Sequence, residues 1–221
     1  MSSRVRFSAK ISAAPAWRTL LANRNLMLLA AGYFTVAYFD YIFFNWIYYY
    51  FDKIRHLGPH QSAIDATPIF LTWLFMTPFG GWVSDRLVAR YGRDRGRRLV
   101  PVCSLSLAAV LLYVGTNLTG MIGTVAVMSL ALGCAAATEA SFWAAAIEIA
   151  GYDVGAAGGI LNTGGNIGGI VARVLTPFIA SFAGWSWGLY SGCLLVIAGM
   201  LVWFFLQPLR TIAGTVTHGE T

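Results

Sequence analysis

Three ionisable side chains stand inside long apolar stretches of this 221-residue chain: Asp40, Glu139 and Arg173. A charge at the centre of a bilayer costs on the order of 2.5–3.5 kcal/mol even on the mildest scale, so such residues face a protein interior or a wet cavity. Two carboxyls and a guanidinium around one cavity would make a proton or anion site. Asp40 and Glu139 are the candidate proton-coupling groups, and Arg173 is the candidate anion ligand. The same three residues would also serve as a buried structural ion pair, and their types alone do not decide between the two. Glu148, near the end of the stretch that holds Glu139, reads as a capping or snorkelling side chain.

The pattern around Arg173 is sharper. Asn162, Asn166, Gly169 and Arg173 fall at i, i+4, i+7 and i+11, which at about 100° per residue forms one narrow helical stripe. Two amides, bare backbone and a guanidinium suit a carboxylate, which Arg can hold with two parallel hydrogen bonds. Packing is the competing use of this stretch. Gly164-xxx-Gly168 and Gly165-xxx-Gly169 are overlapping small-xxx-small pairs, and close helix approach is the better account of the glycines themselves.

A second stripe, Tyr38, Tyr41, Asn45 and Tyr48, offers hydroxyls and an amide to a cavity, with Tyr41 and Asn45 as candidate substrate contacts. Aromatic stripes also pack in cores or face lipid. Glu139 and Trp143 share a helix face. His56 and His60 stand at i, i+4, but in a Gly-Pro loop without a third ligand, so no metal is expected there. The chain has no G-x-S-x-G, no H-E-x-x-H, no P-loop and no dinucleotide fingerprint. It has no intramembrane His to act as a base. An enzyme and a bound cofactor are therefore not expected.

The elements that must position these residues follow from composition. The chain is 57% hydrophobic and 11% charged, against about 25% charged in soluble domains. Too few polar residues exist to cover a water-facing surface, so lipid is the expected solvent and the lipid bilayer the first partner. Crossing about 30 Å of hydrocarbon takes ~20 apolar residues in a helix. Six stretches qualify, roughly 26–51, 66–84, 99–117, 121–149, 157–182 and 187–206, making an all-α membrane protein with six transmembrane helices. The short turn after Asn117 makes the third and fourth spans an antiparallel hairpin. Cys103, Cys134 and Cys193 fall inside apolar stretches without ligand spacing and read as packing residues.

The net charge of +6 would suit nucleic acid, but its distribution does not. Arg4, Arg6, Lys10, Arg18 and Arg24 precede the first span, and six arginines crowd residues 86–98. Basic ends between apolar spans are topology signals, and they put the lead-in 1–25, the loop 85–98 and the tail 208–221 on the cytoplasmic side, both termini included. The six-helix domain is then 26–207, and no nucleic-acid partner is expected. The lead-in lacks the short apolar core and cleavage site of a secretory signal. Trp17 and Arg18 could mark a short surface helix there, or a solvated tail.

The loop after the second span, Gly81-x-x-x-Asp85-Arg86 followed by Gly92 and clustered arginines, resembles the signature loop of a six-helix half in the major facilitator superfamily. With FNWIYYYF in span one, EASFWAAAIE in span four, GGILNTGGNIGG in span five and TPFIASFAGWSW after it, the chain is similar to the C-terminal half of the anion:cation symporter family over about 25–207. Relatives often have proline at Arg173 and after the Trp-x of span one, where this chain has Tyr48. The resemblance implies one half of a twelve-helix transporter in a bacterial inner (plasma) membrane, with the substrate between two halves that rock against each other. It implies proton-coupled symport of a small organic anion, a carboxylate or sugar acid. Gly81, Asp85 and Arg86 would form a cytoplasmic gate motif, with Asp85 meeting the opposite half. That second six-helix half would be another copy or a separate chain. A remnant without transport of its own, acting only as a membrane interaction partner, stays open at this point.

Overall fold

The computed structural model describes residues 17–151 and 153–206. Most of the basic lead-in and the whole tail lie outside the described residues. All regular elements among those described are helical, as expected. In chain order they are α1 (Trp17–Ala22), α2 (Arg24–Tyr49), α3 (Pro59–Tyr91), α4 (Arg93–Asn117), α5 (Met121–Ala136), α6 (Glu139–Ala150), α7 (Val154–Ala183) and α8 (Trp185–Phe205).

Local chemistry marks the ends. Asn23 caps α2 by accepting from the Leu26 N–H at 3.0 Å, which satisfies one of the free donors of the first turn. Pro59 stands in the first turn of α3, where a missing N–H costs nothing. Gly92 (φ 82) and Gly184 (φ 91) each turn the chain between two long helices within a single residue, a left-handed conformation open chiefly to glycine.

Five segments are long and apolar enough to cross a membrane: Arg24–Ile54, Arg93–Asn117, Met121–Ala150, Val154–Ala183 and Trp185–Phe205. They correspond to the first, third, fourth, fifth and sixth expected spans. The second expected span lies in α3, which is 33 residues long. Gln61, Asp65, three threonines and the charged end at Asp85 and Arg86 make it less apolar than the other five.

Three boundaries differ from expectation. First, the basic stretch 85–98 is not a loop. Pro78 and Gly80-Gly81 do not close α3, which runs on to Tyr91, and α4 resumes at Arg93. Ser84 is buried against Ser141 (Oγ to Oγ 3.2 Å), so the helix is held by packing where the sequence suggested a turn. Second, α2 continues through a π-helical turn, Tyr50–Ile54, and the connection to α3 is only residues 55–58. Arg55 closes it by donating to the carbonyls of Leu118 (2.9 Å) and Thr119 (3.1 Å) at the α4–α5 turn. Third, the fourth span is broken at residues 137–138. Thr138 Oγ1 donates to the Ala135 carbonyl at 2.7 Å, and Gly80 of α3 lies against the backbone of Ala137 where any Cβ would collide.

The core centres on α2, whose Phe39, Ile42, Phe43 and Ile47 are buried with Leu112, Phe142, Leu189, Val196 and Trp203. Outside that core, Phe75, Ile122, Val174, Phe182 and Leu194 are exposed, as lipid-facing side chains are.

Candidate functional site

The expected site residues sit on α2, α6 and α7, and backbone contact sets how close those helices come. Gly164 lies against the Ala30 carbonyl and Gly168 against the Phe34 carbonyl, with no room for a Cβ at either. That is the small-xxx-small packing anticipated from the sequence. The neighbouring glycines make room for rings. A Cβ on Gly165 would come within 2.8 Å of Tyr33, and one on Gly169 within 3.0 Å of Tyr41. Gly169 is therefore a seat for Tyr41 and buried, not part of an open cavity wall.

Arg173, one turn further along α7, lies over the Tyr41 ring at 5.2 Å from guanidinium carbon to centroid. The ring face holds the cation in place while leaving its donors free. Asn162, Asn166 and Arg173 are exposed together on one face of α7. Asn162 also lines a cavity of about 390 Å³ shared with Trp143, Ile147 and Gly158 between α6 and α7. No ion pair joins Arg173 to Asp40 or Glu139 among the described residues, so a structural ion pair among the three is not what the fold builds.

The two carboxyls meet each other instead. Asp40 is buried on α2, and the carboxyl of Glu139 on α6 is its neighbour. Glu139 is the first residue after the break in the fourth span, where the free N–H groups of a helix start favour a carboxylate. Asp40 Oδ1 and the neighbouring Trp73 indole nitrogen are both buried and face each other without reaching good hydrogen-bond geometry. Buried polar atoms are nearly always paired, so this pocket has unused hydrogen-bonding capacity. Trp143 closes its side by donating from Nε1 to the Tyr33 hydroxyl at 3.3 Å.

The second stripe divides. Tyr41 faces Arg173. Asn45 spends its amide N–H on the Tyr41 carbonyl at 2.8 Å, leaving its carbonyl oxygen for other use. Tyr38 is fully buried, its hydroxyl 2.8 Å from Ser191 Oγ and 3.3 Å from Thr176 Oγ1, so it ties α2 to α7 and α8 and lines no cavity. Tyr48 is exposed, with its hydroxyl at 3.5 Å from the Pro59 carbonyl.

A second charged site forms where α3, α4 and α6 end together. Arg97 is buried; its Nη1 donates to Asp85 Oδ1 (3.0 Å) and Ser84 Oγ (3.2 Å), and its Nη2 to Glu148 Oε1 (2.7 Å). Arg93 Nε lies 3.1 Å from Glu148 Oε2. Asp85 therefore has a partner within this chain, contrary to the expectation that its partner would lie on another half, though its side chain stays 75% exposed. Gly81 of the same motif packs closely on Ala140. Arg86 does not join the cluster and lies over Trp82 at 4.7 Å.

Sequence reasoning missed Arg97 and undervalued Glu148. The available signal was Glu148's helical register with Ser141, seven residues earlier, which puts both on the α6 face that meets α3. Which of six clustered arginines would pair with it depended on the Gly92 turn. Trp73 and Tyr33 carried no signal separable from ordinary core aromatics.

No protein-family model matches the chain. Among curated proteins it is 29% identical to a probable sulfoacetate transporter, SauU, of Cupriavidus necator, over 93% of this chain and 49% of that protein. It is 29% identical to the hexuronate transporter of Bacillus subtilis, over 87% of this chain and 46% of that one. A probable anion transporter 7 of Oryza sativa subsp. japonica is 26% identical over 74% of this chain and 38% of its own length. The chain thus spans about half the length of the first two relatives and less of the third. The relatives it matches are named as transporters of sulfoacetate, of hexuronate and of anions, and the similarity covers most of this chain.

Proposed function

We propose that this chain is a six-helix half of a secondary transporter that moves a small organic anion together with protons. The supporting observation is the polar face shared by α2, α6 and α7. Arg173 stands exposed over Tyr41 with no anionic partner among the described residues, on one face with Asn162 and Asn166, and buried Asp40 with half-buried Glu139 lies in the same helix group. In an apolar segment, a guanidinium without a counter-ion has a use for one. A carboxylate or sulfonate substrate supplies it, gripped by Arg173, with the side-chain N–H groups of Asn166 and Asn162 further along the same face for more distant substrate oxygens, and the Asn45 carbonyl oxygen for a substrate hydroxyl. That chemistry matches relatives whose names specify sulfoacetate and hexuronate.

In this reading Asp40 and Glu139 carry the proton. A proton shared between adjacent carboxyls relieves their repulsion, and the Trp73 indole N–H, beside Asp40, can donate to that carboxyl when it is charged. α3 supplies the second of six spans, with Ser62 and Ser84 buried against protein and its exposed Gln61, Asp85 and Arg86 towards its two ends. Residues 86–98 and both termini lie at the cytoplasmic face, the membrane being a bacterial inner membrane. The Asp85–Arg97–Glu148 cluster holds α3, α4 and α6 together there, and the exposed side of Asp85, with Gly81 setting the helix spacing and Arg86 beside it, meets a second six-helix half when the cytoplasmic gate closes.

Uptake of radiolabelled hexuronate or sulfoacetate into proteoliposomes tests the reading. The chain alone is expected to give none. Reconstituted with a second six-helix half, it is expected to take up anion when the lumen is alkaline, and Arg173→Gln is expected to abolish uptake. Uptake that persists unchanged in Arg173→Gln, or that ignores the pH gradient in the intact pair, would overturn it.

A further inference from the structure

At the charged end of α3 and α4, a groove of about 810 Å³ opens on the surface. Its walls are apolar side chains such as Phe79, Val83, Leu99 and Phe204, and its mouth carries Tyr91, Arg95 and Arg98. No lining residue comes from α2 or α7, which carry the polar face. The volume falls within the ~300–1,000 Å³ of sites that bury most of a small ligand.

We infer that this groove binds one anionic glycerophospholipid, phosphate at the arginines and acyl chain along the apolar wall. Charge complementarity is the first support. Arg95 is exposed and makes no ion pair or hydrogen bond among the described residues. Arg98 is anchored by Nη2 to the Leu206 carbonyl at 2.6 Å, which fixes the guanidinium at the groove and leaves its other nitrogens available. Arg90 adds a third cation, 5.4 Å from the Tyr91 ring centroid. The basic residues that could instead neutralise a nearby carboxylate, Arg93 and Arg97, are already committed to Glu148 and Asp85.

Length is the second support. From Tyr91 at the mouth to Met76 at the inner end, α3 rises about 22 Å at ~1.5 Å per residue. Headgroup to midplane of a bilayer is about 20–22 Å. The groove matches one leaflet, with its cations at headgroup depth and only apolar or weakly polar side chains below. Basic pockets between membrane helices on the cytoplasmic side bind anionic headgroups in this way. The inference uses the topology proposed above and is independent of transport, since lipid retention and anion uptake are read separately.

The full chain, purified in detergent with added phosphatidylglycerol and phosphatidylcholine, is to be examined by native mass spectrometry for lipid retained after washing. One phosphatidylglycerol is expected to stay bound in preference to phosphatidylcholine. Arg95→Gln is expected to weaken retention about five-fold. Cys103→Trp, which fills the groove from an exposed position on α4, is expected to remove it. Arg86→Gln removes the same charge outside the groove and should leave retention unchanged. Equal retention of the two lipids would overturn the site, as would equal losses in Arg86→Gln and Arg95→Gln. So would displacement of the lipid by glycerol 3-phosphate, which would make this a site for a free phosphate. Should Cys103→Trp lose its helical circular dichroism, the two arginine variants decide.

Discussion

The chain has two clusters of charge inside or beside its helices, and they are built on opposite plans. At the ends of α3, α4 and α6, Arg97 lies between Asp85 and Glu148, with Arg93 on the far oxygen of Glu148. Each charge there has an opposite neighbour. In the α2–α6–α7 group, Asp40 has Glu139, a second carboxyl, and Arg173 has an aromatic ring. Opposite pairing makes a cluster cohesive, since taking away one partner strands the other in a poorly solvated place. Two carboxyls form no such ion pair, and in the reading proposed above these residues serve proton and anion binding.

That contrast predicts a ranking of stability losses, readable as unfolding of the purified chain in detergent–SDS mixtures. Arg97→Met should cost most, about 3–5 kcal/mol, because it removes a buried cation and leaves the largely covered Glu148 carboxylate with only Arg93. A loss below that of an exposed ion pair would break the comparison at its stronger end. Gly168→Ala comes next at about 1–3 kcal/mol, since its methyl meets the Phe34 carbonyl and pushes α2 from α7. It tests whether backbone contact, and not charge, holds the polar face together.

Asp40→Asn is expected to leave stability within about 1 kcal/mol or raise it, as it removes a buried ionisable group, breaks no ion pair and keeps an amide that can still hydrogen-bond Glu139. Its effect should appear instead as anion uptake that no longer follows the pH gradient. A destabilisation matching that of Arg97→Met would mean Asp40 has a cationic partner and would erase the distinction. Arg173→Gln should cost about 0.5–1 kcal/mol, the worth of an exposed cation–π contact, while removing anion uptake. Asp85→Asn should be smallest, about 0.5 kcal/mol or less in the lone chain, because its side chain is three-quarters exposed. A larger effect once a second half is present would locate the other use of that carboxylate.

Much of the helical layout was legible beforehand. Five of the expected spans match segments long and apolar enough to cross a membrane, because apolar length is a property of consecutive residues. The glycine pairs of α7 were legible for the same reason: small residues four apart always share a face. Boundaries were less so. Residues 85–91 are charged and read as loop, yet they stay helical because Ser84 and Arg97 pack on α6. The break before Glu139 lies in an alanine-rich run with no proline and no glycine nearer than Gly133, and it takes its place from Gly80 on another helix.

The candidate site shows the same division. Sequence alone identified Asp40, Glu139 and Arg173, since an ionisable group in an apolar run is conspicuous without coordinates. It also aligned Asn162, Asn166 and Arg173, since helical register is local. Partnership was decided by the tertiary structure. Asp40 met Glu139 and not Arg173, Tyr38 turned into the core while Tyr41 took the guanidinium, and Arg97 was chosen from six arginines to hold Asp85 and Glu148. The reason is physical. Burial cost and periodicity depend on a residue and its near neighbours in the chain, whereas pairing depends on how closely helices far apart in sequence approach, and that distance is set here by backbone meeting backbone at Gly80, Gly164 and Gly168.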